Sequence, residues 1–199
     1  MGYFLLFEGM LDSVIYARDN HLAPGGLLLP NRCNISLLGY GDVQRHQELI
    51  GFWENVYGFD MTCIQEKVLV EASIEICKEE HILTDTNVIA DLNLMTVDVN
   101  CANFSYDFKL IANKAGKLTA LCGFFDTFFE LPNAVAFSTS PRAQATHWKQ
   151  TLFYFRDPIE MKEGDLVCGT FKCNRDRNDL RALFIEIHIL GKKYKYYIN

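Results

Sequence analysis

From residue 67 to the end of the chain, short apolar runs follow one another at 67–70, 92–95, 104–112, 118–129, 134–138, 151–155, 167–174, 183–189 and 194–198. Several of them alternate apolar with polar residues, a period of two that places every second side chain on one face of a half-buried strand. Asn113-Lys114-Ala115-Gly116 and the stretch 174–179 supply turn chemistry between runs. Many short strands with regular turns leave edges that must be hidden, so this region is expected to form a closed β-barrel or a jelly-roll-like sandwich. Residues 71–91 have no clear period and read as irregular structure with short strands.

Residues 1–30 follow a different pattern. Phe7, Met10, Leu11, Val14 and Ile15 recur at helical spacing, Pro24-Gly25-Gly26 closes the segment, and Leu27-Leu28-Leu29 then reads as a buried strand. Helix, turn and strand make one α/β unit, and Pro30 marks its end. Alternation begins at Asn34-Ile35-Ser36-Leu37, which reads as a half-buried strand. It is then interrupted by a helical stripe, Leu49, Phe52, Trp53, Val56 and Tyr57, with Asp42 placed to cap its start and Gly58 to stop it. Such a stripe either packs on the chain's own barrel or covers a surface elsewhere.

A chain of 199 residues can bury a substantial core as one large domain or two small ones. Its formal charge of −6 disfavours nucleic acid and anionic membranes as partners and favours basic ones, arginine-rich proteins among them. The seven cysteines are odd in number, scattered and free of any Cys-x-x-Cys pair. They read as reduced thiols in a reducing compartment, the cytoplasm or nucleus. The spacing of Cys168, Cys173 and His188 fits no common zinc pattern, so no metal centre is expected. The apolar start is too short to span a membrane and lacks the basic flank of a secretory signal.

Glu8 stands out chemically. It is the one carboxylate in Met1-Gly2-Tyr3-Phe4-Leu5-Leu6-Phe7-Glu8-Gly9-Met10. A carboxylate among apolar side chains must reach water, take a proton or meet a cation. A guanidinium suits it best, because its planar fork of donors matches both carboxylate oxygens. The alternative is a glutamate that opens a helix against the positive end of the helix dipole. Thr146-His147-Trp148 sits in a second candidate place, between the turn-forming Ser140-Pro141 and an apolar strand, where a histidine can move protons near neutral pH.

The stretch from Met1 to Leu11 resembles the second half of the double-glutamate loop of the protein arginine methyltransferases. Three further stretches resemble that family in the same order: residues 52–61 (Phe-Trp-Glu-Asn-Val-Tyr-Gly-Phe-Asp-Met), Phe137-Ser138-Thr139-Ser140-Pro141 and Thr146-His147-Trp148-Lys149-Gln150-Thr151. Within the family, the terminal stretch and the region 134–138 look most like the zinc-finger-bearing type I subfamily. The resemblance implies that residues 1–30 are the last helix and strand of a Rossmann-like domain that binds S-adenosylmethionine. It implies a cis peptide at Pro30, a substrate-binding β-barrel over 31–199, and a helical dimerisation arm at about 43–61 carrying Leu49, Phe52, Trp53, Val56 and Tyr57. The fold class expected is therefore mainly β, with most of the cofactor domain absent from the chain and no certain cofactor-binding residue in it.

For function, the resemblance implies transfer of methyl groups from S-adenosylmethionine to arginine guanidinium nitrogens of proteins such as ribosomal protein or histone. The Thr-His-Trp form of the loop implies monomethyl and asymmetric dimethyl products. The resemblance further implies that Glu8 grips the guanidinium, that His147 stands near it with either a glutamate or His147 taking the proton, and that Trp148, Met10 and Tyr3 line the pocket. A homodimer is implied for the whole enzyme, and inactivity for this chain alone. The competing reading is a non-catalytic β-barrel that binds a protein partner.

Overall fold

The computed structural model describes residues 1–199. Its elements are helix α1 (Met10–His21), strand β1 (Arg32–Tyr40), helices α2 (Val43–Leu49) and α3 (Gln65–Leu69), then strands β2 (Ser73–Glu75), β3 (Ile82–Asn93), β4 (Phe104–Ile111), β5 (Gly116–Phe129), β6 (Val135–Ser138), β7 (Gln150–Met161), β8 (Leu166–Arg175), β9 (Leu183–Ile189) and β10 (Lys192–Ile198). The strands form two antiparallel sheets. One runs β2-β7-β5-β1-β3 with β6 added to β5, and the other runs β10-β9-β8-β4.

The inner faces of the two sheets pack on each other. Ile35, Leu121, Phe125, Phe153 and Phe155 of the first sheet share one core with Phe108, Phe171, Ile185, Ile187 and Tyr196 of the second. Phe4, Leu5, Leu6, Leu11 and Ile15 belong to that same core, so the amino-terminal segment is fastened to the sheets by burial of apolar side chains. A second cluster, with Leu38, Tyr40, Phe124 and Leu152 on the outer face of the first sheet, is covered by Ile50 and flanked by Leu49 and Leu69. The expectation for β1 is corrected by this cover. The strand is buried on both faces along most of its length, and its alternation does not mark a solvent side.

The hydrogen-bond ladder does not close into a barrel. At one seam β3 and β4 meet through a single bridge, Thr84 to Ala112, with Asn113 N–H donating to Leu83 O at 2.8 Å. Beyond it, side chains of β3 replace its carbonyls: Asp85 Oδ1 accepts from Ile111 N–H at 2.8 Å and Asn87 Oδ1 from Lys109 N–H at 3.1 Å. Short polar side chains that bond backbone donors hold the two strands apart. At the other seam the bridge from Glu71 to Tyr197 is parallel, with Ala72 N–H on Tyr197 O and Tyr197 N–H on Val70 O.

Other expectations also change. Leu27-Leu28-Leu29 is not a strand: no neighbouring strand offers it a ladder, Leu28 N–H turns to Met95 Sδ, and Leu27 and Leu29 are exposed. The run 67–70 is helical rather than extended, because four residues of apolar alternation are too few to fix a period. Residues 94–96 form a turn after β3, with Asn93 Oδ1 accepting from Met95 N–H. The stretch read as irregular at 71–91 contains most of the long strand β3. The Leu29–Pro30 peptide is cis.

The helical stripe is broken into pieces. Asp42 caps α2 as expected, accepting from Arg45 N–H at 2.9 Å, but the helix ends at Leu49 and Gly51–Glu54 forms one 3-10 turn. Tyr57 and Gly58 then both take positive φ, 54° and 90°, in a tight turn closed by two bonds between Val56 and Phe59. Gly58 therefore serves a reverse turn and not a helix stop, since two successive left-handed positions favour glycine. The pieces have two sides. Ile50 and His46 face the sheet, while Phe52, Tyr57 and Phe59 face outward.

Candidate active site

The Glu8 loop is built from strained backbone held down by buried side chains. Phe4, Leu5 and Glu8 have φ of 52°, 66° and 69°, a region that L-residues seldom occupy, and Gly9 follows at 66°. Phe4 is wedged edge-on against Phe153 and tilted against Phe171, both with ring centroids 5.7 Å away. Gly2 folds back so tightly that a Cβ there would lie 2.1 Å from the carbonyl oxygen of Phe7. The chain thus emerges with Glu8 at the rim, immediately before Gly9, which caps α1. Its side chain is 41% exposed and belongs to the residue just before the cap of α1.

The loop after β6 is cinched at its base. The Thr139 hydroxyl accepts from Phe125 N–H at 3.0 Å and donates to Phe125 O at 2.9 Å. Gln150 closes the other end, with Nε2 donating to Thr139 O at 2.6 Å while Oε1 accepts from Cys77 N–H at 2.7 Å. Between these anchors Trp148 stacks on Phe137 at 5.6 Å, meets Phe125 edge-on at 5.8 Å, and donates its indole N–H to Met1 O at 2.7 Å. The His147 ring lies 3.9 Å from that of Trp148 and is exposed.

These two loops meet across a small cleft. Met1, Gly2, Tyr3, Phe7, Glu8, His147 and Trp148 surround a volume of about 190 Å³, with Tyr3 and Phe7 stacked at 5.9 Å. Four of the expected site residues, Glu8, Tyr3, His147 and Trp148, are therefore brought together from stretches far apart in the chain. Met10 is not among the lining residues; it opens α1 and is 49% exposed. A larger groove of about 770 Å³, bordered by Asp12, Asn100, Asn103, Arg175 and Arg177, shares no residue with this cleft.

The Glu8 carboxylate has a partner that no motif indicated. Arg181 Nη2 donates to Glu8 Oε1 at 2.6 Å, and Glu8 N–H donates to Arg181 O at 2.8 Å. Thr139 and Gln150 were also absent from the candidate residues, although both lie inside stretches that carry the resemblance. Arg181 gives no such signal, standing in a polar turn 173 residues from Glu8.

A comparison with known proteins decides the family. Residues 31–190 match the family model described as the arginine methyltransferase oligomerization subdomain. The chain belongs to the protein arginine N-methyltransferase family. It is 40% identical over 98% of its length to protein arginine N-methyltransferase 1 of Dictyostelium discoideum, and 38% identical over 94% to the enzyme of that name from Saccharomyces cerevisiae. It spans 58% and 55% of those two relatives, about half the length of each. Among solved structures it superposes on the Trypanosoma brucei PRMT1 enzyme-prozyme heterotetrameric complex with AdoHcy, with a TM-score of 0.96, 29% identity, and coverage of 100% of this chain and 66% of the other. A structure of Arabidopsis thaliana protein arginine methyltransferase 10 shares the fold at a TM-score of 0.84 and 22% identity, over all of this chain and 68% of that one.

Proposed function

We propose that this chain supplies the substrate-gripping side of a protein arginine methyltransferase active site. The convergence of Glu8, Tyr3, His147 and Trp148 on one cleft carries the reading. A guanidinium delocalises its lone pairs over three nitrogens, so it is a poor nucleophile until charge is drawn to one side of the fork. Glu8 does this by accepting hydrogen bonds from one edge, which leaves a nitrogen on the other edge free to attack. Trp148 and Tyr3 wall the aliphatic stem and exclude water, strengthening the carboxylate's pull. The proton released on methylation goes to Glu8 or to His147, whose exposed ring can pass it to solvent. Thr146-His147-Trp148 supports monomethyl and asymmetric dimethyl arginine as products.

The methyl donor does not fit within these residues. A cleft of about 190 Å³ admits the end of an arginine side chain but is smaller than the roughly 300 Å³ at which pockets for larger ligands begin. The left-handed glycines Gly25, Gly58, Gly164 and Gly191 each have open space where a Cβ would stand, and none borders the cleft. S-adenosylmethionine therefore belongs to a part of the active site built by other residues. The outward aromatic face at Phe52, Tyr57 and Phe59 supports docking on a second subunit, in the manner of a dimerisation arm.

The deciding experiment is Glu8→Gln in the protein that joins this chain to a cofactor-binding part. Turnover on an arginine-rich peptide should fall by about 10²- to 10³-fold, the scale of losing one charged group aimed at the reacting centre, while cofactor affinity stays unchanged. Turnover near wild type would overturn the role. The ion pair with Arg181 favours one second reading, in which Glu8 only fastens the loop; that role would show as lost stability with activity kept.

A further inference from the structure

We propose that Arg181 is an internal competitor for the Glu8 carboxylate, a pseudo-substrate guanidinium that an incoming arginine must displace. The inference rests on Glu8 being the guanidinium grip. Its basis is that the group this carboxylate is built to hold is already on it, donated by the chain itself at 2.6 Å.

The approach is set by backbone, not by a wandering side chain. Between β8 and β9 the loop is tied by Asp176, whose Oδ1 accepts from Asn178 N–H and Asp179 N–H, and by Asp179, whose Oδ1 accepts from Arg181 N–H at 2.9 Å. Asp176 N–H on Ala182 O and Ala182 N–H on Asp179 O, both at 3.0 Å, close the turn. The loop is then fixed to the amino-terminal segment twice, by Glu8 N–H on Arg181 O and by a two-pronged pair between Arg175 and Asp12 on α1. Arg181 is thereby delivered to Glu8 whatever its side chain does.

The side-chain contact itself is built to yield. Arg181 uses one nitrogen on one carboxylate oxygen, and the two side chains are 67% and 41% exposed. Exposed single-contact pairs are weak, whereas a substrate arginine can present a two-pronged fork to both oxygens with Trp148 and Tyr3 along its stem. Releasing Arg181 needs only a rotation of its side chain, since its backbone bonds persist. The contact should therefore lower apparent affinity for arginine without blocking it, by about 2- to 5-fold for an exposed pair.

The test uses the 199-residue chain and acetyl-arginine-methylamide as probe, followed by two-dimensional NMR at the Glu8 and Gly9 amides. Arg181→Ala should bind the probe about 2- to 5-fold more tightly than wild type, Arg181→Lys should fall between them, and Glu8→Gln added to Arg181→Ala should abolish binding. Equal affinity in wild type and Arg181→Ala, with binding still lost on Glu8→Gln, would overturn the competitor and leave Glu8 as the grip. Binding by Arg181→Ala that survives Glu8→Gln, or no binding by Arg181→Ala at all, would overturn the grip and the competitor with it.

Discussion

The cleft loops and the segment 50–61 are both rich in aromatic residues, yet they use them in opposite ways. Around the cleft, Phe4, Phe125, Phe137 and Trp148 are packed ring against ring, and their polar neighbours are tied by Thr139 and Gln150. In the other segment Phe52, Tyr57 and Phe59 are 50%, 96% and 72% exposed, although the turn beneath them is closed by Val56–Phe59 pairing and by Gly58 N–H donating to Asn55 Oδ1. Packed aromatics hold a reacting geometry, because interiors resist displacement. Ordered but uncovered aromatics prepare a surface for association, because little further entropy is lost on docking. On the proposed reading, the same residue types would serve position in one region and partnership in the other.

The largest effect expected from breaking this contrast lies at the cleft, in the turnover lost by Glu8→Gln. The scaffold comes next. Gln150→Ala would strand Cys77 N–H and Thr139 O in the interior, where Gln150 is only 3% exposed. Two unpaired backbone groups should cost about 2–4 kcal/mol of stability by chemical denaturation. The loss should be accompanied by weaker probe binding, since the loop of His147 and Trp148 hangs from that anchor. Unchanged stability would show that the loop is held by Trp148 packing alone.

How far the sequence made these regions legible follows the same division. β5, β8 and β9 lie close to their expected limits because Leu118–Phe129, Val167–Asn174 and Leu183–Ile189 combine β-branched and aromatic residues with local alternation. β3 was hidden because Asp85, Asn87 and Asp91 are poor strand formers, kept there by seam bonds and by the two-pronged pair of Asp91 with Arg32. Closure of the barrel could not be read, since it depends on which side chains stand at the seams. Of the cleft, Glu8 and His147 were visible as residues chemically at odds with their surroundings or suited to proton transfer. Arg181 was not, because nothing local distinguishes an arginine in a polar turn from one that reaches a carboxylate across the fold.

Cysteines sharpen the comparison by a smaller effect. Cys33, on β1 beneath the packed region, is buried, and burial pushes its thiol up to about 11, with the Thr127 hydroxyl bond opposing the shift. Cys63, in the segment before α3, is exposed. At pH 8 iodoacetamide should modify Cys63 and Cys168 well before Cys33, Cys122 or Cys173, read by mass spectrometry of digests. The sign of the pH effect follows from the raised value. The folded state disfavours the thiolate, so Cys33's contribution is fully present below the ordinary thiol range near 9 and is lost as pH rises towards 11. Cys33→Ala should flatten the fall in stability between pH 8.5 and about 10.5. An unchanged slope would mean that other groups carry it.

The smallest effect on the fold, and the one that most isolates the second region, belongs to Tyr57→Ser combined with Phe59→Ser. Both side chains are largely in water, and the turn beneath them is held by backbone bonds that serine leaves intact. Stability of the 199-residue chain should therefore move by no more than about 0.5 kcal/mol. Association should respond differently in the protein that joins this chain to a cofactor-binding part. Removing two aromatic anchors from an interface costs on the order of 2 kcal/mol or more, which raises the dissociation constant of a dimer at least about 30-fold. Sedimentation velocity over a concentration series reads that shift, and denaturation of the same preparations reads the fold. If the pair of substitutions unfolds the chain instead, these aromatics belong with the packed set and the division drawn between the two regions fails. If neither stability nor association moves, the exposed face is not the docking surface, and the partner's contact must be sought elsewhere in 43–61.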